Sequence, residues 1–316
     1  MLLGCGDSLF DMFIGEADSS GNSGDDTRIS VEGVVGGSPM NVALGMARLG
    51  HGSRYLTKIS NDPFGQRIAR FLTNNNIDHS LSIPTNLYST LAMVETQDDG
   101  SAQYAFYINN TADVSLTVDE LPAELPADVR ILHFASYSTA VEPVRSSLSA
   151  LAARESAQRI VSYDPNLRLS IEPDVQQWQA SFAEYSKHAN IVKASDEDIA
   201  ALFGADSEDK FVAECLANGA ELVYLTRGPD GASAFTADRS AHVPGVPVSV
   251  VDTVGAGDTF QATLLHWLVK EGHVGDGATL NGTVDLQASI ELAAKAAAIT
   301  CSRRGADLPT LSDLTA

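Results

Sequence analysis

From about residue 128 onward, short apolar runs rich in β-branched residues alternate with stretches of helical spacing. Residues 129–134, 160–163, 191–193 and 222–226 read as strands, with helices expected over 144–153 and 210–217. Such alternation predicts βαβ units, and therefore an α/β fold with a mostly parallel sheet between layers of helices. The first third has a different grain. Residues 11–15, 29–35, 90–96 and 103–108 are short and rich in β-branched and aromatic residues, and 98–101 (Asp-Asp-Gly-Ser) reads as a hairpin connection. These four segments predict a small separate sheet. The polar run 16–26 reads as a loop tip. A helix over 40–49, closed by Gly50, interrupts the small sheet. The expected organisation is a large domain of residues 1–10, 36–82 and 113–316, with a small β lid of 11–35 and 83–112.

Composition narrows the function. The chain has 316 residues, 44% of them hydrophobic, and no window approaches the roughly 18 consecutive apolar residues that spanning a bilayer requires. With 41 Asp+Glu against 20 Lys+Arg, the net charge is -21, which repels nucleic acid and acidic membranes at long range. Those two partner classes are disfavoured, and any anionic ligand must be held by a local cluster of donors. Cys5, Cys215 and Cys301 show no metal-ligand spacing and read as thiols of a reducing compartment. No secretion signal is visible at the start, so cytoplasm is the expectation.

The richest segment for chemistry is Val250-Val251-Asp252-Thr253-Val254-Gly255-Ala256-Gly257-Asp258-Thr259-Phe260. A strand over 246–251 is expected to deliver the chain into a small-residue turn, with a helix over 260–269 behind it. The amides of Gly255, Ala256 and Gly257 would then share a cavity, and the helix dipole would add positive potential there. This predicts an anion hole. Asp258 reads plainly as a carboxylate capping the helix. Beside an anion site it is also a candidate proton acceptor, made more basic by a neighbouring phosphate and less so by the helix dipole. Phosphoryl transfer asks chiefly for positioning, so even a weak base suffices.

The string D-T-x-G-A-G-D-x-F resembles the second signature of the ribokinase-like carbohydrate kinases, the PfkB family. Gly36-Gly37-Ser38-Pro39-Met40-Asn41-Val42-Ala43, followed by Leu49-Gly50, looks like that family's N-terminal motif. The likeness in order and spacing extends over nearly the whole chain. It implies a ribokinase-like three-layer sandwich with a β lid, and ATP-dependent, magnesium-assisted phosphorylation of a primary sugar hydroxyl. Asp258 would be the catalytic base, with the amides of Gly255 to Asp258 on the transferring phosphate. Asp11, Gly37 and Asn41 would bind sugar hydroxyls.

Further residues follow from the same resemblance. Asp164-Pro165-Asn166-Leu167-Arg168 resembles the D-x-N-x-R segment of fructokinases and ketodeoxygluconate kinases, so Arg168 would meet nucleotide phosphate or the acceptor. Its plain reading is a surface arginine paired with a carboxylate. Ser195 to Asp198 is either a helix capping box or, with Asp198 where relatives carry Glu, an organiser of magnesium and its waters. Lys193, Thr226, Gly228 and Gly231 would contact the nucleotide, and a helix over 292–300 would flank the adenine. Asp252 and the loop 301–306 lie where relatives bind a monovalent cation, potassium being the candidate.

On the lid, Tyr107 would touch the sugar. Ile108 stands where relatives place Arg, which favours a neutral sugar, fructose before ribose. Ketodeoxygluconate kinase and nucleoside kinase are the remaining alternatives in this class. Apolar Tyr104, Phe106 and Ile108 face either the sugar or the lid of a second subunit in a homodimer. Two other classes stay open. Gly4-x-Gly6 suggests a dinucleotide-binding turn but lacks the third glycine at Leu9. A non-catalytic sugar-binding regulator would be expected to lack the base, and Asp258 is present.

Overall fold

The computed structural model describes residues 1–15, 29–96 and 102–315. Nine strands form the main sheet. Their order is Ser240–Val243, Ala232–Phe235, Leu222–Thr226, Ile191–Ser195, Ile160–Asp164, Ile131–Ala135, Leu2–Cys5, Ser53–Leu56, Ile77–Asp78. All neighbours run parallel except the two pairings at the Ser240–Val243 edge. The chain therefore starts mid-sheet and works outward in both directions, which makes a switch point beside Leu2–Cys5. Ligand sites in such sheets form at the carboxyl ends of the strands there.

The central strands Ile131–Ala135 and Ile160–Asp164 are buried along their whole length. Covered on both faces, they have no reason to alternate, which is why they read as continuous apolar runs. One core holds Phe134, Tyr163, Trp178 and Phe182; a second holds Tyr55, Leu264, Leu265 and Ile290. Within the second, helix Ala256–Lys270 packs between Ser38–Arg48 and Leu286–Cys301. The approach of the first pair is close: a Cβ on Gly45 would lie 2.5 Å from the Cβ of Ala262. That closeness brings the two helix N-termini side by side over the switch point.

The second sheet has the order Ser30–Gly36, Leu9–Gly15, Thr90–Thr96, Ala102–Tyr107. Leu9–Gly15 leaves the main body only three residues after Leu2–Cys5 ends, so this sheet stands directly above the strand ends. The expected loop 16–26, the connection 98–101 and the side chain of Tyr104 lie outside the described residues.

One expectation needs correction, and two elements were not foreseen. No strand spans 246–251; Val246, Val248, Val250 and Val251 are 41%, 37%, 62% and 63% exposed in a segment outside any sheet, with the Val251 amide on the Cys301 carbonyl at 2.8 Å. Their alternation had no neighbouring strand to answer it. Helix Pro63–Asn74, capped by the Asp62 carboxylate on the Gly65 amide at 2.7 Å, was not expected. The edge hairpin Ala232–Phe235 and Ser240–Val243 was also missed.

Candidate active site

Helix Ala256–Lys270 begins at Gly255, whose φ of 79° lies in the left-handed region. A side chain there is excluded twice, by that backbone and by Ala306, whose Cβ would lie 2.7 Å from an added Cβ. The turn leaves the amides of Gly255, Gly257 and Asp258 without a protein acceptor among the described residues. The amide of Ala256 is spent on the carbonyl of Thr253 at 3.2 Å. The amides left open for the expected anion hole are thus those of Gly255, Gly257 and Asp258, and that of Ala256 is taken.

Two cavities meet at this helix end. The first, about 470 Å³, is bounded below by Asp7, Gly37, Ser38, Asn41, Asn166, Arg168 and Asp258, with Asp11, Phe13, Val94 and Phe106 of the small sheet above. The second, about 500 Å³, has apolar walls of Pro229, Val246, Val248, Val250, Phe260, Ala294, Ala297 and Ala298. Thr226, Gly228 and Gly231 line it as well. Thr253 and Gly257 belong to both cavities. The open amide of Gly257 thus lies where the two cavities adjoin, with Asp258 on the side of the first.

Asp258 is held on both oxygens. Its Oδ1 accepts from the Ser38 hydroxyl at 2.7 Å and its Oδ2 from the Asn41 side-chain amide at 2.8 Å. Ser38 and Asn41 occupy the first turn of Ser38–Arg48, which starts at Gly37 with φ 132°. A Cβ on Gly37 would collide with the Asp7 carbonyl oxygen. In this arrangement Asn41 serves the carboxylate, where sequence reasoning gave it to the sugar. Ser38 was not singled out at all.

Asp11 reaches into the first cavity from the lid, and burial lifts its carboxyl to about 6 despite the cation of Arg168. Deeper still, burial and the neighbouring Asp113 raise Asp7 to about 7. Asp113 is itself satisfied by Tyr137 at 2.5 Å and by the Thr90 hydroxyl. Neither Asp7 nor Asp113 lies in a recognisable motif. Arg168 donates to the Asn166 side chain at 2.7 Å and to the Leu167 carbonyl at 2.9 Å. Among the described residues no carboxylate lies within salt-bridge distance of it, and its charge acts across the cavity on Asp7 and Asp11.

Other expected residues lie elsewhere. Tyr107 is 63% exposed and does not line the cavity. Strand alternation turns Phe106 inward and Tyr107 outward. Lys193 is fully enclosed and pairs with Asp164 at 2.8 Å. Its ammonium lies 3.1 Å from where a Cβ of Gly257 would be, beneath the anion hole rather than in the cleft. Burial opposes that charge, but Asp164, Asp198 and Asp258 outweigh it and the Lys193 pKa is raised. Asp198 accepts from Leu167 N at 2.8 Å and from the Ser195 hydroxyl at 2.7 Å, completing a capping box. Asp252 accepts from the amides of Val254 at 3.0 Å and Gly305 at 2.8 Å, stitching the turn to the loop behind it.

A family model described as pfkB family carbohydrate kinase matches residues 5–313. The chain belongs to the pfkB family. Among its pfkB relatives, a fructokinase of Rhizobium leguminosarum bv. trifolii is 38% identical over 269 residues, covering 84% of this chain and 78% of that protein. Fructokinase-1 of Zea mays is 34% identical over 284 residues, 88% of this chain and 86% of its own. A Vibrio cholerae O395 fructokinase structure holding fructose, ADP and calcium aligns with TM-score 0.83 and 27% identity, over 99% of this chain and 97% of that one. A Xylella fastidiosa fructokinase structure with bound ATP reaches TM-score 0.87 at 23% identity, over 99% and 96%, and shows the shared fold. The small sheet over the strand ends and the αβα body beneath it make up the shared fold, with the Gly255–Asp258 turn at the switch point.

Proposed function

We propose that this pfkB kinase transfers the γ-phosphate of ATP to a primary hydroxyl of fructose. The observation that carries the reading is the shared edge of the two cavities, where three unbonded amides and the Asp258 carboxylate flank Thr253 and Gly257. ATP lies in the apolar cleft, with adenine among Val246, Val250 and Ala297 and the γ-phosphate on the amides of Gly255, Gly257 and Asp258. The sugar lies under the lid against Asp11. As its hydroxyl oxygen bonds to the γ-phosphorus, the proton passes to Asp258 and the bond to ADP breaks. The amides and the helix dipole stabilise the charge on the transferring oxygens. Lys193 adds a fixed cation beneath them, and Arg168, held by Asn166 and the Leu167 carbonyl, supplies a second.

The first cavity holds the carboxylates Asp7, Asp11 and Asp258 against the single cation Arg168. This balance repels acidic and phosphorylated sugars and supports a neutral one. Magnesium is the expected companion of ATP, neutralising phosphate charge when bound. Among the described residues no group of three or more His, Cys, Asp or Glu could hold a metal ion. The ion would therefore rest mainly on phosphate and water oxygens, with Asp164, whose Oδ1 has no protein partner, as the acid available to orient those waters. For a monovalent cation the candidate ligand is Asp252, which accepts one amide on each oxygen, from Val254 and Gly305, and keeps a lone pair on each. Val31, Val34 and Tyr107 expose apolar surface on the lid edges, which supports a homodimer formed there. No described helix is long and apolar enough to cross a membrane. The free thiols Cys5, Cys215 and Cys301 suit a reducing cytoplasm.

An ADP-release assay across fructose, ribose, ketodeoxygluconate and adenosine tests this. The largest kcat/KM is expected with fructose. A preference for ketodeoxygluconate would overturn the charge argument, and a preference for adenosine would move the protein to nucleoside chemistry.

A further inference from the structure

Asp258 terminates a chain of hydrogen bonds whose direction is fixed from both ends. At the far end stands Arg168, which can only donate, and its bond to the Asn166 carbonyl oxygen at 2.7 Å settles which way that amide faces. The Asn166 nitrogen must then donate, and it does so to the Ser38 hydroxyl oxygen at 2.7 Å. The Ser38 proton is left for Asp258 Oδ1, at 2.7 Å. Asn166 is held for this at φ 38°, a left-handed conformation that Asn tolerates better than most residues. The three segments are far apart in sequence, and the bond from Asn166 to Ser38 alone spans 128 positions.

We propose that Ser38, fixed by Asn166 and Arg168, is a positioning residue for the Asp258 carboxylate. With Asn41 on Oδ2 and Ser38 on Oδ1, the carboxylate cannot swing about its last torsion, so one lone pair stays aimed into the sugar cavity. A base locked by packing and hydrogen bonds outside the reacting pair gains rate through geometry, and its loss is read in kcat rather than in KM. The inference rests on the reading of Asp258 as base.

Three variants test it: Ser38→Ala, Asn166→Gly, which keeps the positive φ accessible, and the double variant. Fructose-dependent ADP release is measured beside thermal midpoints. Ser38→Ala is expected to lower kcat by roughly tenfold or more, as for loss of a hydrogen bond to a charged group, with both KM values within about twofold. Asn166→Gly should lower kcat as well. The double variant should lose much less than the product of the single losses, because both sever one chain. A Ser38→Ala kcat within about twofold of wild type overturns the proposal, as do losses that multiply. Asp258→Asn in the same assay keeps the two readings apart: high residual turnover there removes the base itself, whatever Ser38 does.

Discussion

The two cavities that meet at Gly257 are built on opposite principles. The sugar side is lined with carboxylates and amides whose partners are set by long-range hydrogen bonds; the nucleotide side is a slot of valine and alanine with few polar side chains. The difference teaches where discrimination resides. A polar site that leaves groups unpaired when the wrong ligand enters can reject it strongly, whereas an apolar slot grades ligands by fit alone. Selectivity for the acceptor should therefore be steep and selectivity for the nucleotide base shallow.

The largest effect expected is from Asp258→Asn. Turnover should fall by about 10²–10⁴-fold, the range for removing a general base, while ATP affinity by calorimetry stays within a few-fold. Loss of ATP binding instead would show that the two sides are not separable. Next, Asp11→Ala should raise KM for fructose by about tenfold or more and leave KM for ATP near wild type. The mirror experiment is Ala297→Leu, which narrows the apolar slot. It should raise KM for ATP several-fold with KM for fructose unchanged, since overpacking costs about 1–3 kcal/mol. If either variant moved both constants equally, the comparison would fail.

The smallest effect concerns stability. Burial pushes the carboxyls of Asp7 and Asp11 up to about 7 and about 6, above the ordinary aspartate value. A carboxyl raised by folding stabilises most below its unfolded pKa, and that contribution is lost as pH rises through the folded one. The unliganded protein should thus lose on the order of 1 kcal/mol or more between pH 5 and pH 8. Asp7→Asn should flatten that slope in denaturant titrations across the range. The nucleotide cleft, with no raised carboxylate in its lining, should contribute no such dependence.

What could be read in the sequence divides along the same line. The turn at Gly255 to Asp258 and the Gly37 entry to its helix were legible because each is a local backbone requirement written in consecutive residues. The hydrogen-bond chain ending on Asp258 was not, because Ser38 meets Asp258 across 220 positions and Asn166 meets Ser38 across 128. Tyr107 misled because the resemblance put it on the sugar, whereas strand alternation sets it on the face opposite Phe106, which lines the cavity. The valines at 246–251 misled for the opposite reason. They alternate as a strand would, yet Val246, Val248 and Val250 form an exposed wall of the second cavity.

The most direct test is a crystal structure with fructose and a non-hydrolysable ATP analogue bound together. The terminal phosphate should lie on the amides of Gly255, Gly257 and Asp258, with a primary hydroxyl within about 3.2 Å of an Asp258 oxygen. A sugar seated away from Asp258, or a phosphate chain that bypasses those amides, would contradict it.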